Sequence, residues 1–210
     1  MRVTLKPAAV IFICGVLSIA QQSSKPKVAL NASASLNCGP VENSRLKCPR
    51  FGLTYQVPFG WVDRTDEMQV DSDEGPNSTS GKSQTLLAIF ERPPAAPGET
   101  INSAVVIAAE SLADYPGIKQ AADYFGPISD LAEQNGFKVV NQPYAFPIGT
   151  RQLVRGDFSR ERDKITMWQS SLVLIENGSI LSFMVVAGSE DELDELIGRL
   201  SFAAKTHSHK

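Results

Sequence analysis

ITMWQSSLVLIENGSILSFMVVAGSEDELDELIGRLSF, residues 165–202, holds two apolar runs of strand length, a two-residue turn signal and an amphipathic helical pattern. Asn177-Gly178 separates the runs, and both residues tolerate the positive φ that a type I′ hairpin turn demands. Downstream, Ser189 and Glu192 have the spacing of a capping box, and Leu193, Leu196, Ile197 and Leu200 fall on one helical face. Acids fill the first turn and Arg199 the last, the order a helix dipole favours. The stretch predicts an antiparallel strand pair followed by a closing helix.

Working upstream, TRQLVRGDF (150–158) reads as a strand that turns through 159–164 into the hairpin. A short strand near 137–140 and a meander come before it. The stretch 118–136 carries Ile118, Ala121, Ala122, Phe125, Ile128, Leu131 and Ala132 at helical spacing and stops at Asn135-Gly136. Gly126-Pro127 inside it predicts a kink or a split, because proline removes a donor and crowds the preceding turn. TLLAIFE (85–91) and SAVVIAAES (103–111) are apolar on successive residues, as in strands covered on both faces. Gly52 to Val57 reads as a first strand with Leu53, Tyr55 and Val57 on one face, and 63–83 as a long acidic loop without apolar period. The order predicts an α+β fold with an antiparallel-rich sheet covered by helices.

The first twenty of the 210 residues read as a removable export signal: Arg2 and Lys6, an apolar run from Ala8, then Ser18-Ile19-Ala20 at the cleavage positions. The run is short of the roughly 20 apolar residues of a spanning anchor. Cys14 follows Ile13, where a lipoprotein signal needs a small residue, so it reads as part of the signal. Cleavage removes Arg2 and Lys6 and no acids, so 20 basic residues fall to 18 against 23 acidic ones, a balance of −5. No basic stripe is interleaved with aromatics, which excludes a phosphate-backbone footprint and nucleic acid as a partner. Residues 21–49 read as an irregular mature N-terminus, 50–203 as one domain, and 204–210 as a polar tail. Cys38 and Cys48 are then an even pair in an exported chain and read as a disulfide. The alternative is a dithiol metal or redox site, which lacks a Cys-x-x-Cys spacing and a nearby His.

Pro58, Gly60 and Trp61 form a strand-ending corner near the start of the domain. A long helix, the Asn177-Gly178 hairpin, Ala187-Gly188-Ser189, an acidic helix and a terminal Ser201-Phe202 follow. Together these resemble the PsbP-like superfamily, which also includes the Ran-binding import factor and bacterial exported proteins of unknown role. The resemblance implies an α/β/α sandwich over about 51–202 and a non-enzymatic role. It implies that the Pro58, Gly60 and Trp61 corner is structural, with Trp61 packed into the sandwich. The residues agree: Pro58 cannot continue a central ladder, Gly60 permits the turn, and Trp61 has an apolar body to bury. A ligand-stacking Trp61 is the alternative.

His207 and His209 are the only histidines, and both lie in the tail, so no nucleophile relay through a core His can be built. Asp71 and Asp73 echo a calcium loop, but Gly75 comes one place early and Lys82 stands where a closing Glu belongs. They are candidate metal ligands in a segment that otherwise reads as a solvated loop. Arg151 and Arg155 share one strand face, and Arg160, Arg162 and Lys164 crowd the next turn among Asp157, Glu161 and Asp163. That basic patch is either a docking site for an acidic partner or a charged hairpin end that discourages edge pairing. No cofactor is expected. The reading is an extracytoplasmic, non-catalytic protein that binds another exported or envelope protein and has no membrane span once the signal is removed. The alternative is a small-ligand or metal binder, or a weak hydrolase.

Overall fold

The computed structural model describes residues 38–73, 83–93, 100–162 and 164–204, with the backbone alone at 70–73 and 162. The expected export signal, the tail histidines, Asp163 and most of the acidic stretch after 73 lie outside the described residues. Among the described residues, ten strands form two antiparallel sheets. The smaller has the order β1 (Arg45–Cys48), β2 (Leu53–Gln56) and β10 (Leu200–Phe202). The larger runs β3 (Val62–Asp63), β4 (Gln84–Phe90), β5 (Ala104–Ser111), β9 (Ser179–Ala187), β8 (Ile165–Glu176), β7 (Arg151–Arg162) and β6 (Lys138–Ile148). Three α-helices complete the described fold: α1 (Thr65–Asp73), α2 (Phe125–Gln134) and α3 (Glu190–Gly198). The fold is α+β.

The period-two alternation of the long strands sorts their side chains between two cores. On β8, Leu172 and Leu174 face the main core, while Val173 and Ile175 face a second one. On β7, Leu153 goes to the main core and Val154 and Phe158 go to the other side. The main core is closed by Leu46, Leu53 and Tyr55 of the small sheet and by Leu193, Leu196 and Ile197 of α3. Phe125, Ile128 and Ala132 of α2 cover the opposite face. The inner strands β4, β5 and β9 are thus covered on both faces and read as near-continuous apolar runs, whereas the edge strand β6 is largely exposed.

The hairpin signal is realised: Asn177 and Gly178 have φ of 51° and 73° between β8 and β9. Ser189 caps α3 by accepting the Glu192 N–H at 3.2 Å. The Glu192 carboxylate accepts the Gly188 N–H at 3.0 Å and the Ser103 hydroxyl at 2.6 Å, so this variant of the box also fastens α3 to the residue that leads into β5.

Four expectations are corrected. Residues 65–73 are a helix rather than a loop. Asp63 accepts the Thr65 N–H at 2.9 Å, Asp66 and Glu67 suit the dipole, and Gln69 donates to the Thr85 carbonyl at 2.6 Å. That helix is polar nearly all round, so no apolar period announces it. The long helix at 118–136 is a 3-10 turn, Ala121–Tyr124, followed by the ten-residue α2. The expected split is found, but it falls before Gly126: Pro127 lies in the first turn of α2, where its missing N–H is an orphan anyway, and so begins a helix rather than breaking one. Residues 45–48, read as irregular, form β1, which pairs antiparallel with β2 and buries Leu46 and Cys48. β7 continues to Arg162, well past the turn expected from 159, and its partner β6 is eleven residues long with two register shifts.

Candidate functional site

The arginines singled out from the sequence do not form one surface. Arg151 and Arg155 share the β7 face that looks toward the small sheet and α3, and both are buried. Arg151 Nε donates to Glu176 at 2.9 Å, and its guanidinium lies 6.0 Å from the centre of the Phe202 ring. Arg160 points to the other face, over Phe137 at 4.8 Å, and donates to the Asn135 carbonyl at the end of α2 at 2.8 Å. A cation there suits the helix C-terminus. Lys164 is exposed in the β7–β8 turn with φ of 69°, and Arg162 is placed by its backbone on β7. Asp71 and Asp73 are placed by their backbone two residues apart on α1.

Arg155 instead anchors a polar cluster. Its Nε donates to Asp157 at 2.7 Å and its Nη1 to Asp194 of α3 at 2.8 Å, with the guanidinium 5.1 Å from the Phe146 ring centre. Asp157 also accepts from Asn141 Nδ2 at 3.0 Å, Tyr144 Oη at 3.3 Å and the Ser170 hydroxyl. The register explains the gathering: Asn141 and Ser170 are the residues directly opposite Asp157 on the two flanking strands. Burial pushes the Asp157 carboxyl up, and bonds from Ser170, Arg155 and Asn141 more than reverse this, holding it below the ordinary carboxylate value. Burial beside the Asp157 carboxylate raises the Tyr144 phenol. Ser170 is fully buried and its hydroxyl is already given to Asp157, so the cluster clamps elements together rather than offering a nucleophile.

A second polar group sits under the 3-10 turn before α2. Glu110 accepts the Tyr124 hydroxyl at 2.9 Å, and the Tyr115 and Tyr124 rings meet edge to face at 5.7 Å. Burial, reinforced by Glu110, pushes the Tyr115 phenol up to about 12. It too is an internal fastening, holding the 112–124 crossover on the sheet.

The outward-facing feature is the corner at 58–61, which carries the chain from the small sheet to the edge of the large one. Gly60 has φ of 81°, a left-handed conformation costly for residues with a Cβ. Tyr55 and Val57 point into the core, and simple alternation would send Phe59 after them; the Gly60 turn leaves Phe59 fully exposed instead. Trp61 is half-buried against the main core. It shares a concavity of about 140 Å³ with Pro58, Leu196, Glu91, Glu192, Glu195 and Arg199. Sequence reasoning singled out Pro58, Gly60 and Trp61 but missed Phe59 and the carboxylates, because these come together only when α3 and the end of β4 pack beside the corner. A larger groove, about 550 Å³, lies between α1 and the segment around Cys38 and Val41 and is lined by Arg64, Asp66 and Glu67 among others. The Cys38–Cys48 disulfide closes one side of it, and no cluster of metal-ligating side chains occurs among the described residues. No helix among them is long and apolar enough to cross a membrane.

No protein-family model matches the chain, and no curated protein does. Solved structures to which it is similar include a Pseudomonas aeruginosa protein of unknown function, 14% identical over 73% of this chain and 92% of that one, with a TM-score of 0.37. LpqN, involved in cell envelope biogenesis of Mycobacterium tuberculosis, is 14% identical over 72% of this chain and 83% of its own, with a TM-score of 0.39. Cyanobacterial PsbP from Synechocystis is 13% identical over 79% of this chain and 97% of its own, with a TM-score of 0.47.

Proposed function

We propose that the protein is an exported, non-catalytic binding protein that docks another exported or envelope protein through the corner at 58–61. The observation that carries the reading is the direction of the side chains. The ionisable groups that are buried are spent on internal clamps, while an aromatic ring with adhesive area, Phe59, stands fully exposed on a backbone fixed by Pro58 and Gly60. Aromatic residues on pre-set backbone bind with little entropy to lose. The disulfide supports the exported half of the reading, since such bonds persist in oxidising compartments. The experiment is crosslinking affinity purification of the tagged protein from its native envelope or medium, with partners identified by mass spectrometry. One dominant partner that is lost with Phe59→Ser supports the reading; recovery of none across several growth conditions overturns it. The groove beside α1 favours a second reading, a small-ligand binder, which predicts a rise in melting temperature with some member of a metal and metabolite panel.

A further inference from the structure

The concavity beside Trp61 has a charge that says what fits it. Glu91, Glu192 and Glu195 line it beside the guanidinium of Arg199, and Arg92 pairs with Glu91 at 3.2 Å, a net of one negative charge around one indole. Arg199 is already bonded to Glu195 at 2.8 Å, which offsets its charge locally. Glu192 is committed to Gly188 and Ser103, while Glu91 and Glu195 stand well exposed at the rim, each held by one solvent-accessible ion pair of a kind that contributes little, Glu91 to Arg92 at 3.2 Å and Glu195 to Arg199. The adjoining surface of α3 continues the sign: Glu190, Asp191, Asp194 and Glu195 are exposed, and no basic residue lies in the helix. At 140 Å³ the concavity holds the equivalent of roughly five waters at about 30 Å³ each. That is well below the roughly 300 Å³ at which cofactor and drug-sized pockets begin. It matches the end of one long side chain.

We infer that the corner and α3 recognise a basic polypeptide segment, with one Lys or Arg of the partner seated between Trp61, Glu91 and Glu195 and Phe59 resting on the partner's apolar surface. The inference rests on the docking reading above and adds the site and the chemistry of the partner. An ammonium or guanidinium over the indole face gains from the ring quadrupole, and flanking carboxylates add charge complementarity. The same field repels anionic lipid and nucleic acid, which sets a basic protein apart from other adhesive surfaces. Lys or Arg also brings an apolar stem to lie along Pro58 and Leu196.

The chain has two tryptophans, so Trp168→Phe leaves Trp61 as the sole indole reporter. The full chain carrying it is titrated with a capped nonapeptide of alternating Lys and Leu and with its Glu-for-Lys counterpart. The Lys peptide is expected to give a saturable change in Trp61 fluorescence, about ten-fold weaker at 0.5 M than at 0.05 M salt, and the Glu peptide none. Glu91→Gln and Glu195→Gln each weaken it about two- to five-fold. Should Trp168→Phe fail to fold, the difference between wild type and Trp61→Phe reads the same signal. Equal binding of the two peptides, or of spermidine as tightly as the Lys peptide, overturns the inference. In parallel, a photocrosslinking phenylalanine is placed at Phe59 and, as a distant control, at Lys138, which is exposed on the edge strand β6. A basic partner captured from position 59 supports the inference. Capture from position 138 alone removes this site but leaves the docking reading intact, and capture from neither removes the docking reading itself.

Discussion

The missing side chain of Gly156 is what lets Phe125 lie on the sheet. A Cβ built there would stand 2.7 Å from Phe125 Cε1 and 3.1 Å from its Cδ1, closer than carbon atoms approach. Phe125 is itself buried against Val173 and Ile180, so the ring has nowhere to retreat. Gly156→Ala is therefore expected to destabilise by about 1–3 kcal/mol, the range for overpacking a filled core, although alanine normally suits a strand no worse than glycine. Chemical denaturation of the variant checks this, and Gly156→Ala combined with Phe125→Leu should recover part of the loss. Gly60 plays the opposite part. No atom lies within 4 Å of a Cβ placed there, and its positive φ alone demands glycine.

Elements are held together here by clamps of charge as much as by apolar contact. Asp157, Arg155 and Asp194 join β6, β7, β8 and α3 in one hydrogen-bonded set. Because the folded state holds the Asp157 carboxyl below its ordinary 3.8, its contribution is complete above the unfolded value and is lost as the pH falls through the folded one. The stability gap between wild type and Asp157→Asn should thus be widest above about pH 5 and close in stronger acid. A gap that stays constant down to about pH 2 would assign the stabilisation to packing instead. The sequence carries the elements of this clamp unequally. β8, β9 and α3 were legible because Asn177-Gly178 and Ser189 are local signals with a definite backbone consequence. α1 was not, since a polar helix has no apolar period to read, and β1 was hidden because four residues alternate too briefly. The clamp itself was half visible: Asp157 and the arginines stood out as charges, but Asn141 and Ser170 meet Asp157 only through the register of two other strands.

At the level of the whole described body, the small sheet is joined to the rest at several points. Tyr55 donates its hydroxyl to the Leu196 carbonyl at 3.1 Å, and β10 returns from α3 to pair with β2. The Cys38–Cys48 bond ties the segment before β1 to the end of that strand, where Cys48 is buried in the main core. Its removal by Cys38→Ser with Cys48→Ser is expected to cost about 2.5–3 kcal/mol, the chain-entropy value for a ring of this length. Thermal unfolding with and without reductant, compared with the double variant, measures it. Reductant should leave the double variant unchanged.

The order of strands in the large sheet also sets when the protein can become a protein. β5 lies between β4 and β9, so one of its two edges waits for a strand more than sixty residues further along the chain. Pairings of that range are slow to close because the loop entropy must be met before the contacts are made. A chain still in synthesis, lacking β9 and α3, has an open sheet and an uncovered core. On the proposed export route, such a delay would keep the chain in a form that can be threaded across a membrane.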